Sequence, residues 1–120
     1  NANPDSTIAA LETFRRIKTS GRRIFIMGDM LELGQYAIQG HKRVGKAVAQ
    51  ADIDRFYGVG TLTAYAIETA ARAGLKAAYY FSTKSDLLAA LKSDLKEGDT
   101  LLVKGSRGSR MEEIIEGLSQ

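Results

Sequence analysis

The run Lys104-Gly105-Ser106-Arg107-Gly108-Ser109-Arg110 gathers three cations, two hydroxyls and two glycines into seven residues. It follows the apolar run Leu101-Leu102-Val103 and precedes a helical pattern, so it reads as a turn between a strand and a helix. A helix start presents N–H groups without internal partners and a positive potential, and anions gather there. Three cations at such a place oppose the dipole. A bound carboxylate or phosphate would offset their mutual repulsion. Glycines at 105 and 108 would let backbone approach that ligand closely. The plainer alternative is a solvated basic turn with Glu112 and Glu113 as its counter-charges.

A second candidate segment is Gly28-Asp29-Met30-Leu31-Glu32-Leu33-Gly34, which follows another β-rich run. Its carboxylates could grip an ammonium group or orient one of the basic residues. Asp29 with Glu32 three residues later also reads as a helix N-terminus. His41 falls on an apolar stripe with Val44, Gly45 and Val48, so it is expected to be a packed, hydrogen-bonded histidine outside the site. Gly58-Val59-Gly60 has Thr at position 63 and fails as a dinucleotide fingerprint. No G-x-x-x-x-G-K-[ST] loop occurs, so the chain has no standard cradle for the phosphates of ATP. Arg15, Arg16, Lys18, Arg22 and Arg23 suit the C-terminal turn of a first helix better than a nucleic-acid stripe.

These segments need a scaffold, and the periodicity supplies one. Short β-rich runs at Arg22–Gly28, Arg55–Val59, Ala77–Phe81 and Thr100–Val103 alternate with helical patterns. Asn3 and Pro4 suit the cap and first turn of a helix bearing Ile8, Leu11, Phe14 and Ile17, stopped at Gly21. Further helices are expected near 37–51 and 62–73. Thr83 with Asp86 opens another, with Leu88, Leu91 and Leu95 as its buried stripe. Ser109 with Glu112 opens the last, with Met111, Ile114, Ile115 and Leu118 on its inner face. The rhythm predicts an α/β fold: a Rossmann-like, mainly parallel sheet with helices on both faces. In the usual doubly wound order the first strand is central, with the next two on one side and the last on the other. Both candidate segments then meet at the switch point.

Composition narrows the class. The 120 residues are 44% hydrophobic and 26% charged, so one domain with a real core is expected without disulfides or a structural metal. With no cysteine, zinc ribbons, iron–sulfur sites and thiol catalysis are excluded. A net charge of +3 is too mild to announce a nucleic-acid binder, and the longest apolar runs are far too short to cross a bilayer.

Several segments, taken in order, also resemble a known family: Asn1-Ala2-Asn3-Pro4-Asp5-Ser6, Met27 through Gly34, and Leu102-Val103-Lys104-Gly105-Ser106-Arg107 with Met111-Glu112-Glu113. Together they are similar to the C-terminal domain of the Mur ligases, from the first residue to the last. The resemblance is strongest to members that add D-alanyl-D-alanine to UDP-N-acetylmuramoyl-tripeptide in peptidoglycan synthesis. It implies a bacterial, cytoplasmic enzyme of three domains. Residues 1–120 would be the third alone; the UDP-sugar-binding and central ATP-binding domains lie outside this chain.

The implied chemistry is ATP-dependent amide formation, in which the tripeptide carboxylate becomes an acyl phosphate that the dipeptide amine attacks. ATP and Mg would be held mainly by the central domain, with none bound to this domain alone, so the isolated chain is expected to be inactive. Its implied partners are D-alanyl-D-alanine, ATP, UDP-N-acetylmuramoyl-tripeptide and the central domain in cis, with no nucleic acid and no membrane insertion. By motif, Lys104, Ser106 and Arg107 would contact the dipeptide carboxylate or the transferring phosphate. Asp29 and Glu32 would line the side of the incoming amine, and Asn1 and Asn3 would reach the nucleotide base or ribose. The rival reading is a freestanding, non-catalytic α/β module for a small anion. A signalling receiver is excluded because Ser82 and Thr83, not an aspartate, follow the middle strand.

Overall fold

The computed structural model describes residues 2–120. Four strands, β1 (Arg23–Met27), β2 (Arg55–Val59), β3 (Ala78–Phe81) and β4 (Thr100–Lys104), form one sheet in the order β3-β2-β1-β4. Every pairing is parallel. The helices are α1 (Pro4–Arg16), α2 (Ala37–Ala49), α3 (Thr63–Arg72), α4 (Lys84–Asp94) and α5 (Glu112–Leu118), with short 3-10 turns at Gly34–Tyr36 and Arg107–Ser109. The expected central strand and the return of the last strand to its far side are both present.

Alternation along the strands makes two cores. Phe25, Met27 and Phe56 pack with Leu11, Phe14, Val44, Val48 and Ala66 from α1, α2 and α3. Ile24, Ile26, Tyr57 and Val59 face the other way, onto Leu87 and Leu91 of α4 with Met111 and Ile114. Burying each large apolar side chain fully contributes about 1.5–3 kcal/mol, enough in sum to fix both helical layers on the sheet. Register places Met27 opposite Gly58 on one side and Lys104 on the other, so β1, β2 and β4 end level. That shared end is the rim on which the candidate segments stand.

At the opposite end, where β1 and β4 begin, Arg22 pairs with the nearly buried Asp99, Nη2 to Oδ2 at 2.7 Å. Backbone N–H groups of Arg22 (3.0 Å) and Lys96 (2.9 Å) also donate to that carboxylate. The hydrogen bond from the Arg22 guanidinium is the main cause holding the Asp99 carboxyl far below the usual carboxylate range.

Local expectations are partly corrected. Asn3 caps α1 through the amide of Ser6, and Thr83 caps α4 through that of Asp86. The α4 stripe is Leu87 and Leu91; Leu88 and Leu95 are only half-buried. Ile17 and Ile115 are about half exposed, at 46% and 54%. Ser109 does not cap the last helix: its hydroxyl donates to the Ser106 carbonyl at 2.6 Å, closing the 3-10 turn, and α5 starts at Glu112. No helix starts at Asp29, because its carboxylate is drawn to another helix.

Candidate functional site

The two candidate turns are stitched together at the rim. Gly28 N–H donates to the Lys104 carbonyl at 2.9 Å, and Ser106 N–H donates to the Asp29 carbonyl at 3.0 Å. The buried Ser106 hydroxyl then accepts from Leu31 N–H at 2.7 Å. It also reaches the Ala2 carbonyl at 3.5 Å, which ties the start of the chain to the same junction. Ser106 is thus a clip between distant segments. Beneath them lies His41, fully buried: Nε2 accepts from Met30 N–H at 3.1 Å while Nδ1 donates to the Ala37 carbonyl at 2.7 Å. The expected structural histidine therefore holds the first turn from below.

Asp29 supports the turn in a way the sequence did not suggest. Its Oδ1 accepts from Thr63 N–H at 2.8 Å and from the Thr63 hydroxyl at 2.7 Å, and Oδ2 accepts from Leu62 N–H at 3.4 Å. It caps the start of α3, a helix more than thirty residues away, where a negative charge also complements the dipole. Gly60 makes room for this: its φ is +111°, and a Cβ there would sit 2.6 Å from the Asp29 Cγ. Glu32, by contrast, is exposed and holds a left-handed backbone at φ 66°. Arg110 does the same at φ 52°. Such conformations are disfavoured for side chains with a Cβ; two of the three among the described residues stand on this rim, the third being Asp52 in the loop before β2.

Two clefts of about 460 Å³ open on this rim. The first is lined by Leu31, Glu32, Ser106, Arg107 and Gly108, so it brings Glu32, Ser106 and Arg107 of the expected residues to one polar groove. The second is more apolar and runs from Gly28 and Asp29 across Val59 and Gly60 to Ser82, Thr83 and Lys84, closed by Ser109 and Met111. Its β3–α4 wall escaped the motif reading. The available signal was topological: the end of β3 faces the same rim as the other strands. Lys104 lines neither cleft, since strand alternation puts it on the same face as Leu102, toward α1 to α3. Asn3 uses its Oδ1 on Ser6 N–H at 2.8 Å, and the expected role of Asn1 lies outside the described residues. Gly105 serves packing: a Cβ there would lie 2.6 Å from the Ser109 hydroxyl and from Met111 Cγ.

Lys84, the first residue of α4, spans the second cleft. Its Nζ donates to the Ser109 carbonyl at 2.9 Å, approaches the Arg110 carbonyl at 3.5 Å and pairs with Glu113. The hydrogen bond from this ammonium holds the Glu113 carboxyl below its ordinary range.

The fold is of the doubly wound α/β class, with a basic turn clipped to an acidic one and both clefts beyond the strand ends, where sheets of this class hold their ligands. The chain belongs to the Mur ligase family: the model of its glutamate ligase domain matches residues 1–107. Within that family it is similar to the UDP-N-acetylmuramoyl-tripeptide--D-alanyl-D-alanine ligases of Bacillus subtilis, at 36% identity over 98% of this chain, and of Escherichia coli, at 38% over 100%. The chain spans about a quarter of the length of these relatives, 26% and 25%. A crystal structure of MurF from Acinetobacter baumannii superposes with a TM-score of 0.86 at 29% identity, over 98% of this chain and 26% of that one.

Proposed function

We propose that this chain is the C-terminal domain of an ATP-dependent ligase that joins D-alanyl-D-alanine to UDP-N-acetylmuramoyl-tripeptide in the bacterial cytoplasm. The observation that carries the reading is the junction of the 28–34 and 104–110 turns, through Ser106, beside a groove shared by Glu32 and Arg107. A guanidinium matches a carboxylate bidentately, so Arg107 is assigned the terminal carboxylate of the dipeptide or the phosphate in transfer. Glu32 lines the same groove from the 28–34 turn, where an acidic group attracts an incoming ammonium. Lys104 adds positive charge behind the turn, and Ser106 and Asp29, each lining one of the clefts, remain assigned to the substrate while they also hold the two walls in place. Asn1 and Asn3 remain assigned to the nucleotide as the domains close.

The residues present do not compose a seat for ATP and Mg. Among the described residues no three His, Asp or Glu side chains come together as metal ligands, and the chain has no phosphate loop. In this reading both groups are held mainly by the central domain, and the UDP-sugar by the N-terminal one. This chain supplies binding and orientation. No helix among the described residues is long and apolar enough to cross a membrane.

The test is ADP release. The full-length protein should release ADP only when tripeptide and dipeptide are both present, whereas the 120-residue chain alone should release none. Turnover by the chain alone, or full-length turnover indifferent to D-alanyl-D-alanine, would overturn the proposal.

A further inference from the structure

We infer that Lys84 is a positioning residue, one that holds the 107–111 turn in its ligand-ready shape from across the second cleft. The inference rests on the reading of the basic turn as an anion seat, and it adds a residue from the β3–α4 junction that no motif marks.

Three observations carry it. Arg110 adopts a left-handed backbone that disfavours any residue with a Cβ, by roughly 1–2 kcal/mol, and the bonds that hold it locally, Arg110 N–H to the Arg107 carbonyl and Glu113 N–H to the Arg110 carbonyl, are both 3.1 Å, so a clamp from outside the turn adds to them. Lys84 Nζ reaches the carbonyls on both sides of that strained linkage, Ser109 at 2.9 Å and Arg110 at 3.5 Å, and its third partner is Glu113 in the first turn of α5. The ammonium is half-buried and already engaged three ways, so it acts on the turn and not on a ligand. Charge also matters: Arg107 and Arg110 repel one another within the turn, while the N–H groups of Ser106, Ser109 and Arg110 are spent on the carbonyls of Asp29, Ser106 and Arg107, so the side chain of Arg107 is what the turn offers to the groove. Holding the turn in shape thus helps present Arg107.

The experiment uses the full-length protein with Lys84→Met, Lys84→Arg and Glu113→Gln. Hydrogen exchange of the Arg110, Glu113 and Ile114 amides should speed up about tenfold or more in Lys84→Met, since each is bonded within the turn it clamps. The KM for D-alanyl-D-alanine should rise several-fold while kcat stays within about twofold, the signature of lost ground-state positioning. Lys84→Arg, which keeps a cation and donors, should restore both. Glu113→Gln leaves the carbonyl contacts in place and should change KM little. Unchanged exchange in Lys84→Met, faster exchange with an unaltered KM, or an equal KM rise in Glu113→Gln would each overturn the inference. If the wild-type protein shows no dipeptide-dependent ADP release, the functional reading falls, yet the exchange measurement still decides whether Lys84 holds the turn.

Discussion

Glu32 sits at φ 66° with its side chain exposed beside Arg107, a conformation that costs a residue bearing a Cβ about 1–2 kcal/mol. Replacing it with glycine removes that strain and adds about 0.5–1 kcal/mol of backbone entropy to be lost. The two effects nearly cancel. Glu32→Gly should therefore leave the melting temperature unchanged or slightly raised while lowering kcat/KM for the dipeptide in the full-length protein. A clear loss of stability with full activity would mean that the carboxylate serves the fold. At this scale the sequence was legible in part. Charge and glycine content marked both turns, and the stripe marked His41. What each side chain does was hidden, because Asp29 serves Thr63 and Ser106 serves Leu31, partners 34 and 75 residues away that only the folded topology brings near.

Elements depend on such long-range partners. Without Asp29, the first amides of α3 lose a charged acceptor, and losing a cap costs roughly 0.5–2 kcal/mol. Asp29→Ala should lower chemical-denaturation stability by about that amount and speed exchange at Leu62 and Thr63. Lost activity with unaltered stability and exchange would instead make Asp29 a ligand contact only. The order of strands and helices was readable because period-two and period-3.6 patterns alternate cleanly and Asn3 and Thr83 mark two helix starts. Helix edges were less readable. Ser109 and Glu112 have the spacing of a capping box, but the Ser109 hydroxyl finds the Ser106 carbonyl first and closes a 3-10 turn. In α4 the residues between the leucines did not fix which leucines turn inward, and contact with Ile24, Ile26 and Tyr57 selects Leu87 and Leu91.

At the scale of the molecule, the sheet is secured at one end and opens its clefts at the other. Asp99, its carboxyl held low by Arg22, fastens the starts of β1 and β4. A carboxyl with a depressed folded-state pKa contributes stability that is full above the unfolded value of about 3.9 and is lost as pH falls. The stability gap between wild type and Asp99→Asn should thus be widest near neutrality and shrink below about pH 4. A gap independent of pH would show that packing, not charge, holds that end. With the sheet fixed there, the far rim is free to carry strained, polar loops, and of their exposed cations Arg107 is the one that lines the polar groove. The most direct test of the account is steady-state kinetics of Arg107→Ala in the full-length protein, measured beside its thermal unfolding. The account predicts a fall in kcat/KM of at least about tenfold, some 1.4 kcal/mol of transition-state stabilisation. Folding stability should stay within about 0.5 kcal/mol, as for other exposed side chains. Unaltered kinetics, or a loss of rate explained by unfolding, would contradict it.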